Sequence, residues 1–302
     1  MLQNHISVCV CTYKRPELLA KLLDKLPAQE SAGLFTYSVV IVDNDEKQAA
    51  KSVVEAIQQQ SNIEMAYYAE PRPGISYARN MAVEKTKGNL IAFIDDDEFP
   101  DGNWLLSLFK ARIKYNADGV IGAVLPYFEQ PPPAWLTKGK ICFWRIHPTG
   151  TVLNNGNTGN VLFKREILEL GQPSFDPDFG LSGGEDSFFF QKLIKRGFVF
   201  VACSEAVAYE FVPAWRMGTT YLLKRYFLNG ANTVRIVRHI GSLTCQWEWF
   251  LKSIVAIVAY PILLPVSLLS GLHLFMEYLL KISYFGGVSL EFIHMFPTYN
   301  RS

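Results

Sequence analysis

Residues 90–97 read Leu-Ile-Ala-Phe-Ile-Asp-Asp-Asp, so five apolar residues run directly into three carboxylates. A short apolar run with β-branched and aromatic residues predicts a buried strand over Leu90–Ile94. Three adjacent carboxylates repel one another, which lowers stability unless a cation or a basic group compensates. The stretch therefore predicts a strand that carries an acidic cluster to one edge of a sheet.

Apolar strands alternate with amphipathic helices on both sides of this stretch. The other predicted strands are Ile6–Thr12, Tyr37–Val42, Ile63–Tyr68, Gly119–Leu125, Val161–Phe163 and Phe198–Val201. The predicted helices are Arg15–Leu26, Ala49–Gln60, Ile75–Thr86, Trp104–Tyr115 and Asp186–Arg196. This alternation favours an α/β fold with a Rossmann-like, mostly parallel sheet and helices on both faces. Ligands bind such sheets at the carboxyl ends of the strands, where Asp43 and the acidic triplet are both expected.

The acidic triplet, Asp95–Asp97, has two interpretations. Mg²⁺ and Mn²⁺ prefer oxygen ligands and often keep substrate phosphates as further ligands, which favours a metal–diphosphate site. Short motifs also give many false positives, and a solvated acidic turn before the helix at Trp104 fits the same residues.

Polar residues that follow the first two predicted strands suit a nucleotide. A nucleotide needs hydrogen-bond partners for its base, a surface for its ring and positive charge near its phosphates. Asp43, Tyr13 and Arg15 offer these groups in turn. The plainer interpretations are that Asp43 is a turn residue and that Thr12 caps the first helix.

Glu185 and Asp186 open a predicted helix directly after two glycines. The helix dipole favours carboxylates in a first helical turn, so capping explains these residues without any chemistry. The alternative is a general base at the mouth of a site, where the glycines allow close approach of a substrate.

Taken together, these segments resemble the family 2 glycosyltransferases of the GT-A fold over residues 5–240. The resemblance is carried by VCVCTYKRPE at 8–17, VDN at 42–44, PGISYARN at 73–80, the acidic triplet, NTGN at 157–160 and GED at 184–186. The segment EFVPAWR at 210–216, with Arg225, looks most like the bacterial exopolysaccharide glucosyltransferases of the succinoglycan type.

This resemblance implies a donor site. It places Asp43 on the nucleotide base and Asp96 on the donor sugar or the ribose. Asp95 and Asp97 would hold the diphosphate, Asp97 most directly through Mn²⁺ or Mg²⁺. The residues implied around the nucleoside are Thr12, Tyr13 and Arg15, with Arg79 nearby.

The resemblance also implies a catalytic pair. Asp186 would be the base, and Glu185 would orient the acceptor or act as the second choice of base. The sequence departs from the family at Phe211, because many relatives have a His near this position that binds the metal. Glu210 and His239 are the substitutes considered for that ligand.

Charge is divided unevenly along the chain. The formal net charge of +1 gives no reason to expect nucleic acid as a partner. Residues 1–212 carry 21 basic and 25 acidic residues, whereas residues 213–302 carry 8 and 3. Residues 253–276 are 24 positions without Asp, Glu, Lys or Arg, and about 20 apolar residues span the hydrocarbon core of a membrane. The sequence thus predicts a catalytic domain over 1–240 and a hydrophobic, membrane-associated region over 241–302.

The C-terminal region has several interpretations. Residues 216–240 predict a basic amphipathic helix, which either lies on anionic lipid headgroups or closes the domain over its substrates. The run 247–280 fits one kinked span, a hairpin that enters a membrane and returns, or two buried helices of an oligomer interface. Pro261 and Pro265 favour the hairpin, with its bend at the prolines. Contact with membrane lipids is therefore expected over 216–285.

The function expected from these features is a metal-dependent, inverting glycosyltransferase at the cytoplasmic face of a bacterial inner membrane. Its donor would be a nucleotide sugar, UDP-linked by resemblance, and its acceptor a lipid-linked glycan. The alternatives are a catalytically inactive, nucleotide-sugar-binding scaffold subunit and a nucleotidyltransferase on a similar fold. A nicotinamide dehydrogenase is disfavoured, because no GxGxxG follows the first strand.

Overall fold

The structure is a computed structural model that describes residues 4–170, 174–180 and 182–295. Contacts divide the chain into two compact units. The first unit comprises 1–127, 144–181 and 185–211, and the second comprises 128–143, 182–184 and 212–302.

The described residues form one eight-stranded sheet with the order β3-β2-β1-β4-β7-β6-β8-β5. The strands are β1 (Asn4–Thr12), β2 (Phe35–Asp43), β3 (Met65–Ala69), β4 (Leu90–Ile94), β5 (Glu98–Pro100), β6 (Gly119–Phe128), β7 (Asn160–Lys164) and β8 (Phe200–Val212). The α-helices are α1 (Pro16–Lys25), α2 (Lys51–Gln58), α3 (Ile75–Lys85), α4 (Trp104–Lys114), α5 (Ala134–Lys138), α6 (Glu185–Lys195), α7 (Thr219–Ile240), α8 (Leu243–Leu269) and α9 (Leu272–Met295).

Both faces of the sheet are covered, as the sequence predicts. Successive side chains of a strand point to opposite faces, and β1 shows this directly. Val8 and Val10 belong to one hydrophobic cluster, whereas Cys9 and Cys11 belong to another on the other face. Burial on both faces explains why the strand reads as a continuous apolar run.

The sheet is mixed rather than mostly parallel. β1, β2, β3 and β4 pair in parallel, joined by helices. β7 runs antiparallel to both β4 and β6, and β5 runs antiparallel to β8. Parallel neighbours require a crossover, usually through a helix, and β7 instead follows the largely irregular segment 129–159. The prediction of an α/β fold is confirmed, and its parallel character holds for the first four strands.

Strands β5 and β8 differ most from the sequence prediction. β8 continues to Val212 instead of ending at Val201, and β5 is absent from the predicted elements. Polar residues interrupt the apolar pattern of both strands, and their pairing places Glu98 opposite Glu210. This pairing brings the residues after the acidic triplet beside the end of β8.

In the second unit, α7 packs on α9 where two glycines meet. A Cβ on Gly230 would collide with the carbonyl oxygen of Tyr284, and one on Gly287 with that of Phe227. Apolar residues of α7, such as Val234, are buried at this contact. Helix α7 therefore lies in the same compact unit as α8 and α9.

Helix α8 runs through both Pro261 and Pro265, so the bend expected at the prolines is wrong. The chain reverses at Gly271, whose φ of +121° suits glycine. The Tyr260 ring lies 5.4 Å from that of Tyr278 across the resulting hairpin. Among the described helices, α8 alone is long and apolar enough to cross a membrane.

Candidate active site

The carboxyl ends of β1, β2 and β4 bring the predicted donor residues to one edge of the sheet. Thr12 is in register with Asp43 on the neighbouring strand. Thr12 Oγ1 also donates a hydrogen bond to Asp96 Oδ2 at 2.7 Å. The register thus places three segments that are distant in sequence around one point, as the predicted topology requires.

Arg15 forms ion pairs with the last two carboxylates of the triplet. Its Nη1 lies 3.1 Å from Asp96 Oδ1 and 2.9 Å from Asp97 Oδ2. The side chain of Arg15 remains 39% exposed, whereas that of Asp97 is 8% exposed. Thr12 and Arg15 therefore orient Asp96, and a cation reaching Asp97 must share or displace its contact with Arg15.

Asp95 is the accessible carboxylate of the triplet, with 45% of its side-chain surface exposed. Burial of the rest of the group, together with the charges of Asp97 and Asp96, raises the pKa of Asp95 to about 7, and Arg79 opposes this shift. Asp95 is therefore the member of the triplet best placed to meet a cation from solution.

Arg79 lies inside the first unit. Its side chain is 7% exposed, and it forms ion pairs with Asp95, at 3.4 Å, and with Glu185. Its guanidinium carbon also lies 5.9 Å from the centre of the Phe175 ring. Burial by itself would lower the pKa of Arg79, but Glu185 and Asp95 raise it above its ordinary value. Its charge is thus taken up by carboxylates of the protein, not offered to solvent.

Glu185 and Asp186 occupy different environments at the start of α6. Glu185 is buried and paired with Arg79. Asp186 is half-buried, and its Oδ1 accepts a hydrogen bond from the Ser187 N–H at 2.6 Å. The charge of Asp186 contributes to the raised pKa of Asp95, so the two lie within electrostatic reach. Asp186 is the member of the pair with surface open to a substrate.

Asp43 is fully buried, and neighbouring residues hold its carboxylate. It accepts hydrogen bonds from the backbone N–H groups of Asp45 and Ala50, each at 3.0 Å, and from the Tyr67 hydroxyl at 3.0 Å. Burial, and then the bond to Asp43, raise the pKa of Tyr67. In this arrangement Asp43 holds the segment after β2, and a base that contacts it must first displace part of that network.

Tyr13, unlike the buried Asp43, is exposed to solvent. Its side chain is 54% exposed, and the Lys14 ammonium lies 4.8 Å from the centre of its ring. Lys14 itself has a positive φ of 55°, which marks a sharp change of chain direction between β1 and α1. An exposed aromatic ring at this turn is available to a planar ligand.

Glu98 is a site residue that the sequence reasoning missed. It is buried, and one of its oxygens accepts a hydrogen bond from the Asp95 N–H at 3.3 Å. Burial and the nearby charges of Asp95 and Glu210 raise its pKa well above the ordinary range. The sequence feature that could have predicted Glu98 is its position, because it directly follows Asp97 and extends the acidic run to four residues.

Phe211 stands where the resemblance to the family implied a metal-binding His. Its backbone N–H donates to the Asp97 carbonyl at 2.7 Å, and Lys21 lies 5.9 Å from its ring centre. The Glu210 carboxylate accepts a hydrogen bond from the Trp144 indole at 3.1 Å. The expected substitute His239 belongs to α7 in the second unit.

The triplet suits a divalent cation that binds together with a diphosphate. The described residues contain no preformed group of three or more His, Cys, Asp or Glu side chains that would hold a metal ion. Mg²⁺ commonly uses only one or two carboxylates and completes its shell with water and substrate phosphates. Asp95 and Asp97 provide such a set. Burial, and then the charges of Asp97 and Asp96, raise the pKa of Asp95, and a cation would relieve the repulsion among these carboxylates.

Comparison with known proteins identifies the family. The model of the family described as "Glycosyl transferase family 2" matches residues 7–171. The chain belongs to glycosyl transferase family 2. The succinoglycan biosynthesis protein ExoM of Rhizobium meliloti strain 1021 is 32% identical to this glycosyltransferase over 238 residues, 77% of the chain and 75% of the relative.

Solved structures confirm the GT-A fold of this family 2 member. The mannosyltransferase PcManGT from Pyrobaculum calidifontis, in complex with GDP-Man and Mn²⁺, aligns with a TM-score of 0.58 at 19% identity, over 95% of this chain and 88% of that one. S. aureus TarS 1–349 in complex with UDP aligns with a TM-score of 0.52 at 16% identity, over 96% and 92%. The protein is therefore a glycosyltransferase.

Proposed function

We propose that this glycosyltransferase moves a sugar from a nucleotide-sugar donor, with UDP as the nucleotide, to a hydroxyl group of a lipid-linked glycan in the synthesis of a cell-surface polysaccharide. The observation that carries the proposal is the joining of two acidic segments, Asp95 at the end of β4 and Glu185-Asp186 at the start of α6, through Arg79. The GDP-Man and UDP bound to the neighbouring structures support a nucleotide-sugar donor.

The donor diphosphate would bind at the acidic triplet with Mn²⁺ or Mg²⁺. Asp95 and Asp97 would hold the cation, which would supply positive charge to neutralise the charge that develops on the departing diphosphate. Arg15, which is partly exposed beside Asp97, would add a second positive charge there. Tyr13 would offer its exposed ring to the nucleoside. The hydrogen bond from Thr12 would hold Asp96 in place beneath the donor.

Asp186 would act as the general base. Its carboxylate takes the proton of the acceptor hydroxyl while the hydroxyl oxygen attacks the anomeric carbon. The bond between that carbon and the diphosphate oxygen breaks, and its electron pair leaves with the nucleoside diphosphate. Attack from the face opposite the leaving group inverts the configuration in one displacement, so an α-linked donor gives a β-glycoside.

We also infer that the C-terminal region, 216–285, brings the enzyme to the cytoplasmic face of a bacterial inner membrane, where a lipid-linked acceptor is available. Most of the apolar side chains of α8 are exposed, among them Ile262, Val258 and Val266. A helix that is hydrophobic all round and not buried in protein suits a lipid environment. Because α7 packs on α9, we assign the hydrocarbon contact to the hairpin of α8 and α9.

The experiment that tests the enzymatic proposal measures binding and products together. Nucleotide sugars that bind the folded protein raise its unfolding temperature, and we expect the largest shift for a UDP-sugar in the presence of Mn²⁺. Incubation of that donor with membrane glycolipids should then release a nucleoside diphosphate and extend the lipid-linked glycan. Release of pyrophosphate would indicate a nucleotidyltransferase, and binding without turnover would indicate a scaffold subunit.

The membrane proposal is tested with paired surface substitutions. Ile262→Asp and Val152→Asp change residues of similar exposure, 67% and 69%, on α8 and in the first unit. An Asp at the centre of a membrane helix costs about 3 kcal/mol, so Ile262→Asp should move protein from the membrane fraction to the soluble fraction. Val152→Asp should leave the distribution unchanged. Equal distributions for both variants would contradict the membrane contact of α8.

A further inference from the structure

Arg79 and Arg15, both arginines of the site, differ in their exposure to solvent and in the carboxylates that they contact. Arg15 is 39% exposed and contacts Asp96 and Asp97, whereas Arg79 is 7% exposed and contacts Asp95 and Glu185. A guanidinium of low exposure with two carboxylate partners has little freedom to turn toward a ligand. The resemblance to family 2 placed Arg79 near the nucleotide, and its burial instead directs it inward.

Of the two carboxylates that Arg79 contacts, one lies in the proposed donor site and the other lies next to the proposed base. Asp95 ends β4 and lies in the acidic triplet, where the donor diphosphate would bind. Glu185 is the first residue of α6 and directly precedes Asp186, the proposed base. Arg79 itself lies in the middle of α3, on the side of the helix that faces the sheet. One side chain thus joins the donor end of β4 to the helix that carries the base.

Glu185 depends on this contact for its orientation. One of its oxygens is paired with Arg79. The other, Oε2, is buried without a hydrogen-bond partner in the part of the chain that the structure describes. Removing one partner of a buried ion pair leaves the other charge uncompensated. The start of α6 would therefore shift if Arg79 lost its charge.

We propose that Arg79 is a positioning residue that fixes the separation between the donor carboxylate Asp95 and the base Asp186, and that it does not bind the nucleotide. The proposal rests on the proposed transferase function. Displacement of a reacting group by about 1 Å costs about 100-fold in rate. Loss of Arg79 should therefore lower kcat while leaving the affinity for the donor nucleotide nearly unchanged.

The test compares Arg79→Met, Arg79→Lys and Arg15→Met in the full-length protein. Arg79→Met should lower kcat by about 100-fold and change the Kd of UDP, measured by calorimetry at saturating Mn²⁺, by less than about threefold. Arg79→Lys, which keeps one charge, should recover part of kcat. Arg15→Met should instead raise the Kd of UDP. Lys87→Met, at an exposed residue of the first unit, should change neither quantity.

A second variant separates positioning from simple loss of folding. In Arg79→Met with Glu185→Gln, Glu185 is not left as an uncompensated buried charge, so the loss of stability should be smaller than in Arg79→Met. The double variant should fold and bind Mn²⁺ with UDP, yet remain as slow as Arg79→Met. A wild-type kcat in either variant, or a loss of UDP affinity with kcat retained at saturation, would overturn the role of Arg79. A wild-type protein that transfers no sugar would contradict the transferase function itself.

Discussion

The Nη1 atom of Arg15 lies 2.9 Å from the Oδ2 atom of Asp97, so the start of α1 and the end of the acidic triplet form one ion pair. The pair is partly exposed on the side of Arg15 and buried on the side of Asp97. The arginine therefore offsets part of the negative charge of the triplet and has room to turn toward a phosphate.

Arg15→Met should weaken donor binding. A hydrogen bond to a charged group contributes about 1.5–3 kcal/mol, so the Kd of the nucleotide sugar should rise by about tenfold or more. The binding of Mn²⁺ without a nucleotide should tighten, since the cation no longer competes with the guanidinium. Calorimetric titration measures both, and Lys25→Met, at an exposed position of α1, the helix that follows Arg15, is the matched control. Unchanged donor affinity would remove Arg15 from the site.

Asp186→Asn should abolish transfer while leaving donor binding intact. The amide has nearly the shape of the carboxylate but does not accept the proton of the attacking hydroxyl, and general base catalysis contributes about 10²–10⁴-fold. Single-turnover assays and calorimetry with the same donor separate the two effects. Asp178→Asn, at an exposed carboxylate of the first unit, should behave as wild type. Turnover near the wild-type rate in Asp186→Asn would exclude it as the base.

The affinity for Mn²⁺ should rise with pH across neutrality. The pKa of Asp95 is raised to about 7, so below this pH the carboxyl group holds a proton that a cation must displace. The same shift means that the metal-free fold loses stability as pH rises from about 4 to about 7, because the folded state binds this proton more tightly than the unfolded chain. Titrations at pH 6 and pH 8 measure the effect, and Asp95→Asn should bind more weakly with a flatter pH dependence. Equal affinity of the wild type at both pH values would contradict the role of Asp95.

Asp43→Asn should destabilise the fold whether or not Asp43 touches a nucleotide. Its two oxygens accept hydrogen bonds from two backbone N–H groups and from the Tyr67 hydroxyl. In the asparagine an NH₂ group replaces one of these oxygens, and it does not accept the hydrogen bonds that this oxygen accepted. Buried groups left unsatisfied cost about 1–3 kcal/mol each. Urea unfolding measures the loss, with Asp24→Asn on the exposed side of α1 as control. A stable variant that has lost only UDP affinity would show instead that Asp43 serves the base alone.

The sequence predicts those parts of the fold whose signal is local. The bounds of β4 are those predicted from its apolar run, since each of its residues is buried. Strand β8 was cut short because Glu205 and Glu210 interrupt its pattern, although pairing with β5 continues the strand. The bend in the C-terminal hairpin was misplaced, because proline kinks a helix without always ending it, and the reversal depends on Gly271.

In the candidate site, too, the sequence predicts some features and not others. The sequence predicted that Asp43, Thr12 and the acidic triplet would meet, because strand order determines which chain segments share an edge of the sheet. Which way a side chain points depends on contacts from remote segments. Arg79 meets Glu185, 106 residues away, and the motif around Arg79 gives no indication of that partner. The accessibility of Asp95 relative to Asp97 is likewise a property of the fold.

Two adjacent glycines of α9 should respond oppositely to alanine. A Cβ on Gly287 collides with the Phe227 carbonyl, whereas one on Gly286 lies 3.7 Å from the nearest atom of the Phe227 ring. Alanine gains about 1 kcal/mol over glycine in a helix interior, so Gly286→Ala should stabilise the second unit slightly. Gly287→Ala forces α7 and α9 apart, and overpacking of this kind costs about 1–3 kcal/mol. Thermal unfolding in detergent measures both, and equal shifts for the two variants would show that α7 and α9 do not meet at Gly287.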